Sequence, residues 1–212
     1  RASKTEQLKC QQQYEEIYKS YQNKPQPSIT DVKTTINLFP QKNSYNVTGN
    51  YMLVNKTKFD ISEILMNTSN EISWNAITSS QLILEKKDTE FGQYLFKTKQ
   101  KMMPNDSIMV SFNFEYKIQP INGHQSFNAI VENGAFMRIS NYLPKIGYNK
   151  DNEIGDELER KKRNMPLQDA MTKVDAPLEN PYNYEFINFD AIISTSVNQT
   201  AISVGQLVNS YS

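Results

Sequence analysis

The spacing of hydrophobic and polar positions changes at residue 29, and the change divides the chain. Before it, Tyr14, Ile17, Tyr18 and Tyr21 recur at i, i+3, i+4 and i+7, the spacing of one helical face. The pattern predicts a helix over residues 3–22, stopped by Pro25 and Pro27. Its aromatic face suits an arm packed on the domain that follows; a tether leading in from an upstream element is the alternative. From Ile29 the period is two. Val32, Thr34, Ile36 and Leu38 alternate with polar residues. After the turn-like run Pro40-Gln41-Lys42-Asn43-Ser44, so do Tyr45, Val47, Gly49, Tyr51 and Leu53. Two such runs predict an antiparallel hairpin with one buried face.

Residues 61–74 read as one further strand with a loop, 81–85 as a short strand and 92–97 as another. The cleanest alternation is Ile108, Val110, Phe112, Phe114 and Tyr116, which marks a strand packed against a second layer. Residues 118–125 read as a loop, and 127–139 as one or two strands interrupted at Asn133-Gly134. Residues 149–180 differ. Charge is dense, Leu158 is nearly the sole apolar residue of its run, and Pro166, Pro177 and Pro181 break the chain. A short solvated helix followed by irregular chain is predicted there. A final strand pair, 186–195 and 200–204, is joined by Ser196-Val197-Asn198-Gln199. The fold class is therefore mostly β: a large antiparallel sheet or sandwich with a short N-terminal helix and one charged helical excursion. The domain division is a helical arm over 1–24 and a β domain over 25–212.

Composition permits this and removes several functions. Of 212 residues, 38% are hydrophobic, with 12 Tyr and 10 Phe, enough for a real core. Twenty-three basic residues balance 23 acidic ones, so neither nucleic acid nor an anionic lipid surface is an expected partner. A single cysteine, Cys10, excludes an internal disulfide and leaves the compartment open. No apolar run approaches the roughly 18 residues that span a bilayer. The start at Arg1 suggests a piece of a longer protein, so contact with a membrane is expected only through segments outside this sequence. Five N-x-S/T triplets begin at Asn46, Asn55, Asn67, Asn105 and Asn198, close to the number that so Asn-rich a chain gives by chance.

The residue types needed for catalysis are scarce. A zinc centre takes three or four ligands, usually His or Cys. This chain offers His124, in a loop-like run, and Cys10. No metal and no cofactor is expected in it. Ser-His-Asp chemistry would have to use His124, and no G-x-S-x-G elbow is present. Nothing positions Cys10 against His124, and no phosphate-cradling glycine loop occurs. Glu157 and Glu159 read as a solvated charged face. Tyr94-Leu95-Phe96-Lys97 reads as strand core rather than a base-stacking platform. Catalysis by this chain alone is not expected.

Several motifs, in order, carry a resemblance. Pro25-Gln26-Pro27-Ser28-Ile29-Thr30-Asp31-Val32 leads into the first strand. Gly49-Asn50-Tyr51-Met52-Leu53-Val54-Asn55-Lys56-Thr57 matches the pattern G-x-Y-x-L-x-N-K-T. Pro104-Asn105-Asp106-Ser107 stands before the strongest strand. Val131-Glu132-Asn133-Gly134, Leu143-Pro144-Lys145-Ile146-Gly147-Tyr148, the charged run 157–163 and the segment 193–205 follow. Over residues 25–208 the chain resembles the N-terminal β domain of the aminopeptidase N family of zinc metallopeptidases. It is most similar to a bacterial subgroup, common in Bacteroidetes, whose peptidase-like region follows permease-type segments like those of ABC-2 transporters.

The resemblance implies a saddle-shaped β structure that packs on a C-terminal catalytic domain and helps close its substrate cleft. The G-x-M-E-N and H-E-x-x-H motifs, and the zinc, would lie in that C-terminal domain; neither motif occurs here. The implied partners are the C-terminal peptidase-like domain of the same polypeptide and a peptide substrate, on the extracytoplasmic (periplasmic) side of a bacterial membrane. It also implies a substrate-binding position at Glu132 or Asn133, upstream of the place where the family has P-C-F-D-E-P. A buried turn at Asn133-Gly134 is the competing reading. Leu143-Pro144-Lys145-Ile146-Gly147-Tyr148 occupies that place without the Cys, Asp, Glu-Pro or preceding Arg, which puts the parent's peptidase pocket in question. The alternative to an accessory domain is a self-contained extracytoplasmic β-sandwich that binds protein or carbohydrate.

Overall fold

A computed structural model describes residues 3–69, 72–117, 129–137, 143–168 and 187–211. Its strands are β1 (Ser28–Phe39), β2 (Ser44–Val54), β3 (Ile61–Asn67), β4 (Ser73–Thr78), β5 (Leu82–Asp88), β6 (Gln93–Met102), β7 (Ser107–Lys117), β8 (Ala129–Val131), β9 (Gly134–Phe136), β10 (Lys145–Ile146) and β11 (Asn188–Ser194). The helices are α1 (Lys4–Tyr18) and α2 (Glu157–Lys162). One sheet has the order β11-β1-β2-β7-β4, a second β10-β3-β6-β5, and β8 pairs with β9 alone. The mostly β class with an N-terminal helix and a charged helical excursion is what the chain adopts.

The core lies between the two larger sheets. β7 alternates without a break: Ile108, Val110, Phe112, Phe114 and Tyr116 are buried. Across the antiparallel ladder they face Leu53, Tyr51, Gly49, Val47 and Tyr45 of β2. Ile64, Met66, Phe96 and Leu82 of the second sheet join the same cluster. Cross-strand pairs such as Tyr45 and Tyr116, stacked at 4.9 Å, are the units that stabilise such a ladder. Gly49 breaks the apolar row for a steric reason. A Cβ there would stand 2.6 Å from both the Lys33 carbonyl oxygen and the Phe112 ring, so the ring lies where a side chain would be.

Three expectations about the strands and the charged helix are corrected. Residues 61–74 are not one strand: β3 and β4 belong to different sheets. β3 buries Ile64, Leu65 and Met66 in succession, and β4 buries Ile77 with Trp74 half-buried, so neither short run has a clean period that would mark the change of layer. The final strand pair does not form. β11 pairs parallel with β1, from Asp31↔Asn188 to Asn37↔Ser194, and residues 200–211 are exposed without strand structure. The turn Gln199 N–H to Ser196 O, 2.9 Å, is present, but the chain beyond it has no ladder. The charged helix is not simply solvated. Its lone apolar residue, Leu158, is 67% exposed, whereas Arg160 is 1% exposed.

α1 covers the outer face of the second sheet. Its start follows a capping box: the Glu6 N–H donates to Ser3 Oγ, and the Ser3 N–H donates to the Glu6 carboxylate at 2.7 Å. The buried stripe is turned from the predicted one. Tyr14, Glu15 and Tyr18 are buried, and Ile17 is 45% exposed. Tyr14 and Tyr18 pack on Leu65 of β3, with Tyr21, Phe91 and Tyr148 around them.

Candidate functional site

The sequence places its candidate at Glu132 and Asn133. These two residues form the turn of the β8–β9 hairpin, between the paired Val131 and Gly134. Both are exposed, so the turn is not buried. Gln199 Nε2 donates to the Glu132 carbonyl oxygen at 2.8 Å, which anchors the turn to the segment after β11. Neither side chain has a hydrogen-bond partner among the described residues. His124, Pro177 and Pro181 lie outside the described residues. Cys10 is exposed on α1. Among the described residues no three His, Cys, Asp or Glu side chains converge as metal ligands do. An open groove of 630 Å³ runs beside Gln81, Lys99, Lys101 and Asp106, and no acid–base pair converges in it.

The densest polar arrangement is elsewhere, where residues 145–168 close over α1. Glu15 and Arg160 meet as a bidentate pair, with Nη1–Oε1 at 2.9 Å and Nη2–Oε2 at 2.8 Å. Both side chains are almost fully buried. A buried pair persists only if its remaining polar atoms are satisfied. Arg160 Nη1 also donates to the Ile154 carbonyl at 2.8 Å, and Nε to the Pro166 carbonyl at 2.6 Å. The Ile154 N–H donates to Glu15 Oε1 at 2.9 Å. Asp156 caps α2 through the N–H groups of Leu158 and Glu159, which fixes the turn that carries Arg160.

Beside this pair, Glu153 accepts from Lys19 Nζ at 2.6 Å, the Tyr148 hydroxyl at 2.9 Å and Gln168 Nε2 at 3.1 Å. Burial pushes its carboxyl up, and these three donors outweigh that and hold it below the ordinary glutamate value. Tyr14 and Tyr148 stack at 5.3 Å, and the Asn149 N–H donates to the Tyr14 hydroxyl at 3.0 Å. Burial, then donation to Glu153, raises the Tyr148 phenol far above its usual value. Burial, then donation to Asp88 at 2.6 Å, does the same for Tyr18. Near neutrality Glu153 is therefore held charged, and the Tyr148 and Tyr18 phenols neutral. What this clasp does is bind the arm to the sheet.

Several residues of the quoted motifs occupy structural positions. Asn55 is fully buried; its amide donates to the carbonyls of Phe59 and Met102, both at 2.8 Å, and its oxygen accepts from Thr57 N–H and Oγ1. That leaves no room for a glycan on it. Gly147, at φ +86°, donates to the Leu65 carbonyl at 2.8 Å and accepts from Asn67 Nδ2. Few L-residues adopt that φ. The Gln26 side chain spans the β3 backbone, donating to the Glu63 carbonyl at 3.0 Å and accepting from the Leu65 N–H at 2.9 Å. The clasp itself was missed by sequence reasoning. Its signal was faint: an N-cap Asp156 four residues before Arg160.

No protein-family model matches the chain, and no curated protein matches it. Solved structures with a partial likeness include the M1 zinc metallopeptidase of Deinococcus radiodurans, at 5% identity and a TM-score of 0.35, covering 44% of this chain and 21% of that one. Another is a variant of a two-domain M1 zinc metallopeptidase bound to L-tryptophan, at 8% identity and a TM-score of 0.35, covering 45% and 22%. The matched part thus spans about a fifth of each of those chains.

Proposed function

We propose that this chain is the non-catalytic N-terminal accessory domain of a membrane-anchored, aminopeptidase-like zinc metallopeptidase. It is a β scaffold that covers one side of a substrate cleft in a C-terminal domain. The observation that carries the reading is the use made of the motifs that resemble the family. Gly49 lies under Phe112, Asn55 closes the β2–β3 corner, Gly147 pins the chain to β3, and Arg160 locks the arm. All four positions serve rigidity, as a scaffold requires. In this reading zinc belongs to the C-terminal domain. The exposed Glu132–Asn133 turn, whose side chains have no hydrogen-bond partner among the described residues, meets the N-terminal end of a peptide, where the Glu132 carboxylate would face an ammonium group. The scaffold sits on the extracytoplasmic side of a bacterial membrane, reached through permease-type segments outside this sequence.

The polypeptide that follows this chain in its gene tests the reading. It should carry H-E-x-x-H within about two hundred residues and bind this chain when the two are expressed separately. A following segment without that motif, or one that does not bind, refutes it. In the joined protein, Glu132→Gln should raise KM for a free-amine peptide more than it lowers kcat. An unchanged KM removes Glu132 from the site.

A further inference from the structure

Among the described strands, the two larger sheets leave four edges, and three of them carry a device against pairing. β4 breaks register between Trp74 and Ala76. β5 breaks it between Leu84 and Lys86 and carries Lys86 and Lys87. On the β10 side, the two-residue β10 and the Gln26 side chain occupy the backbone groups of β3. Bulges, lysines and covered backbone are the usual means by which proteins blunt such edges. β11 has none of them. Its seven residues, Asn188-Phe189-Asp190-Ala191-Ile192-Ile193-Ser194, run in unbroken register with β1. They contain no Lys, Arg or Pro, and among the described residues nothing pairs on the other side. Phe189 and Ile193 reach the core yet stay only partly buried, so the core is open along this flank. On the outer face Ile192 is 66% exposed.

We propose that β11 is a docking edge for a second copy of this chain, with β11 pairing antiparallel to its counterpart about a two-fold axis at Ala191. The sequence of the strand favours this occupant because it is self-complementary in that register. Phe189 stands opposite Ile193 of the second copy, and Ala191 opposite Ala191, so the two open core flanks meet. Asn188 stands opposite Ser194, and Asp190 opposite Ile192. A shift of the axis to Asp190 would set two carboxylates against each other, so charge selects the register. Opposed residues in an antiparallel pair alternate between two spacings, and either can be centred on Ala191. The two five-stranded sheets become one continuous sheet, an isologous contact that closes on itself. The proposal is independent of the aminopeptidase reading.

Sedimentation velocity of the full chain over a concentration series is the test. A reversible monomer–dimer equilibrium is expected. Ile192→Asp, which sets Asp against Asp190 at both ends of the contact, should weaken it about tenfold, and Ile192→Lys should not. Ile83→Asp on β5 should leave it unchanged. Residue 192 faces outward, so the fold survives these changes, which circular dichroism checks. In a Cys10→Ser background, Ala191→Cys should form a dimer-linking disulfide on mild oxidation, because opposed Cα atoms about 4.5–5.5 Å apart suit one. A chain monomeric at every concentration, a dimer unmoved by Ile192→Asp, or an Ala191→Cys chain without the cross-link overturns the proposal.

Discussion

Removing the guanidinium from the clasp, by Arg160→Met, tests how the arm is held. Glu15 then keeps one donor, the Ile154 N–H, and loses both bonds to Arg160. It stays covered by the 145–168 segment, so its charge is left buried and unpaired. Breaking one side of a buried pair costs roughly 3–5 kcal/mol, about two to three and a half decades in an equilibrium constant. The arm can detach before the sandwich unfolds, so the loss should appear first as arm release. Limited proteolysis within residues 4–21 and hydrogen exchange of the α1 amides read it directly. Glu15→Leu should cost a similar amount, since Arg160 keeps only the Ile154 and Pro166 carbonyls. The double change Glu15→Leu with Arg160→Met should cost less than either alone, because no buried charge remains. A single-variant cost below about 1 kcal/mol, or strictly additive costs, would refute the reasoning.

Three further outcomes follow from the same geometry. Gly49→Ala should destabilise the sandwich by about 1–3 kcal/mol in chemical denaturation, because its Cβ would meet the Lys33 carbonyl and Phe112; an unchanged midpoint contradicts the packing. Asn55→Ala should cost at least about 2 kcal/mol, since it strands the buried Met102 carbonyl and frees Thr57; a variant as stable as the parent chain contradicts that. Glu153 has a folded pKa held below its ordinary value of 4.5, so its contribution is present above that value and lost as pH falls through the lowered one. Acid below about pH 4.5 should therefore loosen the clasp, and Lys19→Ala should move that transition to higher pH in a proteolysis or tyrosine-fluorescence titration; no shift, or a downward one, contradicts it.

β7 was fully legible because every second residue is apolar and one face of the strand is solvated. A period of two could not reveal that β3 and β4 part into different sheets, since β3 buries consecutive residues between α1 and the core and β4 is bulged between Trp74 and Ala76. Nor could it reveal the parallel partnership of β11 with β1. Pairing across some 150 residues leaves no local mark, and the turn at Ser196–Gln199 invited a hairpin that does not form. The helical arm was visible through its tyrosines, but its rotation was not, because burial of Glu15 depends on Arg160 far along the chain. Dense charge in 149–180 suggests a solvated face. The clasp is the exception that long-range pairing creates. The Glu132–Asn133 position came from resemblance, and the fold adds that the turn is exposed and anchored by Gln199.

Turnover of an aminoacyl chromogenic substrate by the isolated chain tests the central claim most directly. The scaffold account predicts no hydrolysis with or without added zinc. Hydrolysis that a chelator abolishes and zinc restores would contradict it.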